Sequence, residues 1–464
     1  SAVDSQLVNL TVLATAKQPG ISTTTRYQEF TSTGKAKKIT DPLNHLSSRE
    51  FQGPAEALSK STNARLYSTR YTYDEFGNVK TITDADNVTV SREYVEASGH
   101  VLGRVVKETS PLGLVTSYTY DEDGNVLTQN ELNASDGINY TTQYEYDASG
   151  NLIKTIDPKN HVTQYVYDDL NRKVEESYVV NNVLHTRSYL YDALGRLSSV
   201  TNERGETSST NYDSRSQVKS KVNALGDTTV SYTYDASGNV KTVTDGEGRK
   251  ITTTYDAVNR KIQVTDDNGH FEKWVYDTAT GRVKTHQDKR GEITQYEYDA
   301  IGNMTKMYYP EHPELGFTES TYDKNSNVIE VIDTKKNKTT YTYDALDRRI
   351  STTLQNGQTW TYSYDANGNQ LTEVTPTGEW TKQDYDALNR VKQLTEYAAN
   401  NSITRQISYN YDANSNVISE SSGGNSISYS YDEINRVSGV TDAYGKTISY
   451  GYDKAGNRTT LTYP

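Results

Sequence analysis

Apolar and polar positions alternate with period two in short runs along nearly the whole chain. Tyr118-Thr119-Tyr120 and Tyr341-Thr342-Tyr343 show it plainly, with both rings on one face of an extended segment. Thr, Val, Tyr and Ile fill these runs, and such residues suit a pleated, half-buried strand. Between the runs lie clusters of Asp, Asn, Gly and Pro, the residues of tight turns. No long segment carries helical periodicity. The pattern predicts an all-β chain with strands of about six residues.

Turn placement is itself periodic, which marks a repeat architecture. The dipeptide Tyr-Asp begins at Tyr73, Tyr120, Tyr146, Tyr167, Tyr191, Tyr212, Tyr234, Tyr255 and Tyr276. It continues at Tyr298, Tyr322, Tyr343, Tyr364, Tyr385, Tyr411, Tyr431 and Tyr452. Most of the 17 copies lie 20 to 22 residues apart. Four residues after Tyr (five after Tyr276) stand nine Gly, four Asn, three Ser and one Asp. Gly, Asn and Asp tolerate positive φ, so a hairpin turn with a left-handed residue and a G1-type bulge is expected. The Asp of each pair is placed to bond the backbone two residues on.

A second turn follows about eleven residues after each Tyr, as in Asp157-Pro158-Lys159-Asn160 and Asp288-Lys289-Arg290-Gly291. Two turns per 21 residues make one β-hairpin the repeating unit. The register extends upstream in worn form through Phe30, Phe51 and Tyr94, for about 20 units. Residues 1–26, with apolar Leu7 to Leu13, are expected to form an N-terminal edge strand or cap. The repeats then occupy 27–464, degenerate over 27–119 and regular over 120–464.

Composition sharpens this picture. Leu, Ile, Val and Phe make up 85 of 464 residues, about 18%. A share below roughly 20% belongs with disordered chains when net charge is also high. Here the net charge is −13 over 464 residues, and 39 Tyr are present. Regular Tyr placement means that the apolar burial has moved to a Tyr row. Rings of successive repeats are expected to stack with offset geometry, ~0.5–1.5 kcal/mol per pair.

Several function classes drop out. No window approaches 18 consecutive apolar residues, so no membrane span is expected. Ser1-Ala2-Val3-Asp4 opens without a basic, apolar signal segment. The absence of Cys excludes disulfides and thiol chemistry. Net acidity argues against nucleic acid, and the basic run Lys35-Ala36-Lys37-Lys38 is short. Seven His fall at unrelated repeat positions, and no HExxH, GxSxG or P-loop occurs, so catalysis is not expected. Calcium β-rolls use nine-residue repeats, whereas this period is 21, and turn capping explains the Asp and Asn; no cofactor or metal is expected.

Two features remain as candidate chemistry. Arg172, Arg196, Arg260, Arg282, Arg348, Arg390 and Arg436 form a row after the turn, expected to make cross-strand ion pairs. Four insertions, Gln129–Thr141, Tyr178–His185, Met307–Phe317 and Glu396–Thr404, read as loops on the scaffold. The least repeat-like holds two Pro and offers Tyr308, Tyr309, Glu311 and His312 as a candidate binding loop.

Repeats such as Tyr234-Asp235-Ala236-Ser237-Gly238-Asn239-Val240 and Tyr385-Asp386-Ala387-Leu388-Asn389-Arg390-Val391 resemble the YD repeats of the RHS family. That family spans bacterial polymorphic toxins, insecticidal toxin-complex subunits, wall-associated proteins and teneurins. The resemblance implies a spiral of hairpins forming one antiparallel strip wound into a hollow, open-ended shell. In toxin members such a shell encloses a C-terminal toxic domain. The chain departs from those members in lacking a core region with a DPxG-type cleavage segment, since Asp41-Pro42 and Asp157-Pro158 lie in second turns. About 40 strands at ~4.8 Å give a strip on the order of 190 Å, enough for about one and a half windings of a cylinder ~40 Å across.

The implied function is a non-catalytic scaffold in a secreted or cell-surface bacterial protein. Its partner would be toxin cargo or a downstream core domain. The alternative is a carbohydrate-binding or adhesion module, presenting exposed Tyr rows and loop insertions to cell-surface glycans. A third reading is a spacer. Open sheet edges also invite oligomers.

Overall fold

Each repeat folds as an antiparallel hairpin, because the period-two runs supply strands and the two turn clusters supply reversals. In the computed structural model, residues 12–14, 17–18, 21–22, 24–95 and 103–464 are described. Forty-one strands join one sheet, paired antiparallel with their neighbours in chain order, and the sheet does not close on itself. Among the described residues the one helical segment is a 3-10 turn at Pro313–Leu315.

The expected bulge is present. Thr119 pairs with Thr128 but Tyr120 pairs with Val126, so one residue is skipped at the Tyr. The same shift occurs at Tyr146, Tyr234 and Tyr452. All 17 residues at the predicted left-handed position have positive φ, from 58° at Asn171 to 113° at Gly302. Ser216, Ser326 and Ser415 are among them, a role the sequence reading assigned only to Gly, Asn and Asp.

Upstream, Phe30 pairs with Ala36 across a turn with Gly34 at φ 85°, so the worn repeat keeps the hairpin. The strand Val12–Ala14 pairs with Thr25–Tyr27; the rest of the Leu7–Leu13 stretch, and most of the turn after Tyr94, lie outside the described residues.

Three of the four insertions are not loops. Val126–Asn133 with Ile138–Tyr146, Lys173–Val180 with Val183–Tyr191, and Val391–Tyr397 with Ile403–Tyr411 are longer hairpins. Added residues continue the period-two pattern, so they extend the ladder rather than leave it.

The chain divides into two units. The first comprises Ser1–Arg92, Thr253–Ala366 and Thr372–Thr377; the second comprises Glu93–Thr252, Asn367–Leu371 and Gly378–Pro464. Most strand side chains in either unit are only half-buried, as expected of a single-layer sheet. In the second unit the deepest side chains gather where two stretches of strip meet. Ile138 (1% exposed), Val180 (2%) and Ala387 (2%) lie there, with Asp386, Asp432, His185 and Glu203.

Candidate functional site

The Tyr-Asp turn builds its own edge. In the turn after Tyr146, Gly150 N–H bonds Asp147 O and Asp147 N–H bonds Asn151 O, both 3.0 Å. Asp147 Oδ1 accepts the Ser149 and Asn151 N–H groups at 2.9 Å, and its Oδ2 accepts the Asn151 amide at 2.9 Å. The Asn151 amide, then its backbone N–H, holds the Asp147 carboxyl below the usual carboxylate range. Second turns repeat this chemistry: Asp157 Oδ1 accepts Lys159 and His161 N–H, and His161 Nδ1 donates to Oδ2 at 2.9 Å.

The Tyr row is held differently from the expected ring stack. Its hydroxyls donate to a backbone carbonyl of the preceding repeat, as Tyr73 does to Leu58 O (2.8 Å), Tyr191 to Lys173 O (2.8 Å) and Tyr452 to Val437 O (2.7 Å). Burial pushes the Tyr73, Tyr234 and Tyr431 hydroxyls above the usual tyrosine value. Over the ring sits the guanidinium of the preceding repeat: Arg172 over Tyr191 (4.6 Å), Arg196 over Tyr212 (4.5 Å), Arg260 over Tyr276 (4.4 Å) and Arg436 over Tyr452 (4.4 Å). All seven members of the Arg row stack in this way.

The cross-strand ion pairs expected of that row fall instead within the turn. Arg172 Nε bonds Asp168 Oδ2 at 2.8 Å and Arg436 Nε bonds Asp432 Oδ2 at 2.6 Å. Four residues of tight turn bring the two side chains together, so Arg replaces Asn as the partner of the turn Asp. One Arg thereby ties its own turn to the next repeat's Tyr.

A further contact joins distant turns. In the second unit the second-turn edge of 134–206 lies against the Tyr-Asp edge of 386–457, turn upon turn. Asp136 accepts the Ala387 N–H (2.7 Å) and pairs with Lys392 (2.7 Å). Lys159 pairs with Asp412 (2.9 Å), and the Asn414 amide donates to Asp157 (2.6 Å). Asn181 N–H bonds Glu433 (3.1 Å), His185 Nδ1 donates to Lys454 O (3.2 Å), and Arg204 pairs with Asp453 (2.9 Å).

The first unit has the same seam. Arg65 donates to Tyr343 O (3.0 Å) and Asp344 O (2.9 Å) and pairs with Asp323 and Asp347. Arg348 pairs with Asp86 at 2.9 Å. Burial raises the Asp347 carboxyl, but Arg65 with Asn327 and Asn325 outweighs it and holds the group below its usual value. The insertions at Gln129–Thr141 and Tyr178–His185 supply this seam: their hairpin ends carry Ile138, Asp136, Val180, Asn181 and His185. The sequence signal for the seam was a basic third residue in the second turn, at Arg65, Lys159 and Arg204.

Beside the seam of the second unit lies a cleft of about 540 Å³, between Val180–His185 and Arg436–Asp453. Arg436 Nη1 is buried there without a partner. In Arg348 the equivalent atom donates to a turn carbonyl, Asp365 O, at 3.1 Å, so the slot suits backbone rather than ligand. Among the described residues no cluster of His, Asp and Glu could hold a metal ion. In the candidate loop, Tyr308 ends the strand Met304–Tyr308 and pairs with Gln295 and Phe317. His312 bonds Glu292 (2.7 Å) and Glu314 (3.2 Å), first the Glu292 bond and then the Glu314 bond raising its pKa, while Glu311 is exposed.

Repeat, bulge and seam agree with a family model. The teneurin YD-shell model matches residues 56–185 and 314–463, and the RHS repeat model matches 212–250, 234–270 and 276–313. The chain belongs to the teneurin YD-shell family. Among solved structures, this YD-shell chain is similar to the TcdB2-TccC3-TEV crystal structure, at 11% identity and TM-score 0.47, covering 100% of this chain and 37% of that one. It is also similar to a Photorhabdus luminescens Tc holotoxin pore carrying a TccC3-D651A mutation, at 12% identity and TM-score 0.45, covering 92% and 33%. The YD-shell chain thus spans about a third of the length of these structures. No curated protein matches it.

Proposed function

We propose that this YD-shell strip is a non-catalytic wall that encloses a toxic domain joined downstream of it, in a secreted or surface-exposed bacterial protein. The observation that carries the reading is the seam. A one-layer strip excludes solvent and protease only if successive stretches lie edge to edge, and in each unit turns are bonded to turns. Membership of a shell family supports a structural role. No helix among the described residues is long and apolar enough to cross a membrane.

Carbohydrate binding is less well supported, because the Tyr rings and hydroxyls are engaged by Arg and by carbonyls. Met307–Phe317 remains its candidate surface, through Tyr308, Tyr309, Glu311 and His312.

Fusing a protease-sensitive reporter domain after Pro464 tests enclosure. Protection of the fused reporter, with cleavage far slower than of the free reporter, is the expected result. Equal cleavage rates refute enclosure, and binding on a glycan array would then favour the adhesion reading.

A further inference from the structure

The seam covers only part of the Tyr-Asp edge in the second unit. At covered turns the Asp386 and Asp432 side chains are 4% exposed, and the turn-tip residues Leu388 and Ile434 are half-buried. Turns 168–172 and 192–196 have the same Asp-x-Leu-x-Arg sequence and the same Asp–Arg bond. Their Asp168 and Asp192 side chains are 24% exposed, and Leu170 and Leu194 are 71% and 70% exposed. Two large apolar side chains held at rigid turn tips form a surface of the kind that the molecule covers elsewhere.

What covers such an edge is also visible. Five second turns carry a cation at their third residue: Arg65, Lys159, Arg204, Arg290 and Lys335. The first three reach Asp residues of facing Tyr-Asp turns. Arg290 and Lys335, both in the first unit, are exposed; Arg290 pairs with Asp288 of its own turn, as Arg204 also does with Glu206. The loop between those two turns presents Leu315, 48% exposed.

We propose that the Tyr-Asp edge at 168–217 docks a second copy of this chain through that copy's second-turn edge at 288–337. Turn order runs the same way on both edges of the existing seam. In the matching register Arg290 faces Asp168, Lys335 faces Asp213, and the Leu315 loop faces Leu194. Contact is heterologous, since one edge meets the other, and each copy retains one free edge of each kind. Association therefore proceeds to chains, and it weakens with salt because the pairs lie at a solvent-exposed rim. The inference is independent of what the strip encloses.

Sedimentation velocity on the full chain tests it, with two double variants at exposed turn tips. Leu170→Lys with Leu194→Lys spoils one edge; Arg290→Glu with Lys335→Glu spoils the other. Each variant alone is expected to associate at least roughly tenfold more weakly, ~1.4 kcal/mol. An equimolar mixture regains association but stops at a 1:1 dimer, because each partner retains one intact edge. Unchanged circular dichroism shows that the turns survive the substitutions. A wild-type chain that stays monomeric at all attainable concentrations overturns the proposal. So does association that persists in both variants, or a mixture that fails to pair.

Discussion

A turn aspartate with both oxygens engaged is the smallest working part of this molecule. Asp147 satisfies two backbone donors and one side chain, which leaves the left-handed residue as the remaining cost. At Gly150, φ is +80° and a Cβ would meet nothing within 4 Å, so backbone conformation alone sets the penalty. Gly150→Ala is expected to cost about 1 kcal/mol, and Gly150→Asn much less. Amide exchange over 147–151 is the readout, because repeat arrays open locally. At Tyr191, loss of the hydroxyl bond to Lys173 O in Tyr191→Phe should cost ~1 kcal/mol while Arg172 stays over the ring. Tyr191→Ala should cost more and free Arg172, which shows as faster exchange in both repeats. Turn type was legible in the sequence because positive φ is a local demand on residue type. The Tyr partner was not, since it depends on how the next repeat is offset across the sheet.

At the scale of the hairpin, charge adds a pH dependence with two opposite signs. The Asp147, Asp168, Asp192 and Asp235 carboxyls are held below their usual value by the Asn or Arg four residues on. Their stabilisation is complete above the unfolded value, about 3.9, and is lost as pH falls through the lower folded values. Thermal melts should therefore weaken steeply only below about pH 4. His312 runs the other way: its pKa is raised, chiefly by the bond to Glu292, so its tie is present below about 6.5 and lost as pH rises through the folded value. Exchange in the 309–316 segment should quicken at alkaline pH while the neighbouring hairpins stay protected. Insertions were read as loops because extra residues broke the spacing. Three of them kept the period-two alternation, and that pattern rather than length decided their structure. At one such hairpin, Asp136→Ala would leave the Ala387 N–H buried without an acceptor, at a cost of ~1–3 kcal/mol seen as exchange at turn 386–390.

Across the whole chain, the contacts that join distant turns share one offset. From Ile138–Tyr146 to Trp380–Tyr385 the strip counts 23 strands, and the Lys159–Asp412, Arg204–Asp453 and Arg65–Asp323 pairs each span the same number. Turns alternate between the two edges of a strip, so an odd offset must bring opposite edges together. That is why second turns always meet Tyr-Asp turns. The offset itself was not legible, because it is set by twist accumulated over many strands rather than by any one repeat. Low aliphatic content was legible but needed the fold to explain it: a single layer has little interior, and the deepest side chains in the second unit lie along the seam. Zero-length carbodiimide cross-linking at high dilution, read by peptide mass spectrometry, tests that seam most directly. Links from Lys159 to Asp412 and from Lys392 to Asp136 are expected, beside the local Lys154–Glu145 link as control. Recovery of the local link alone would contradict the seam, and with it the edge-to-edge architecture.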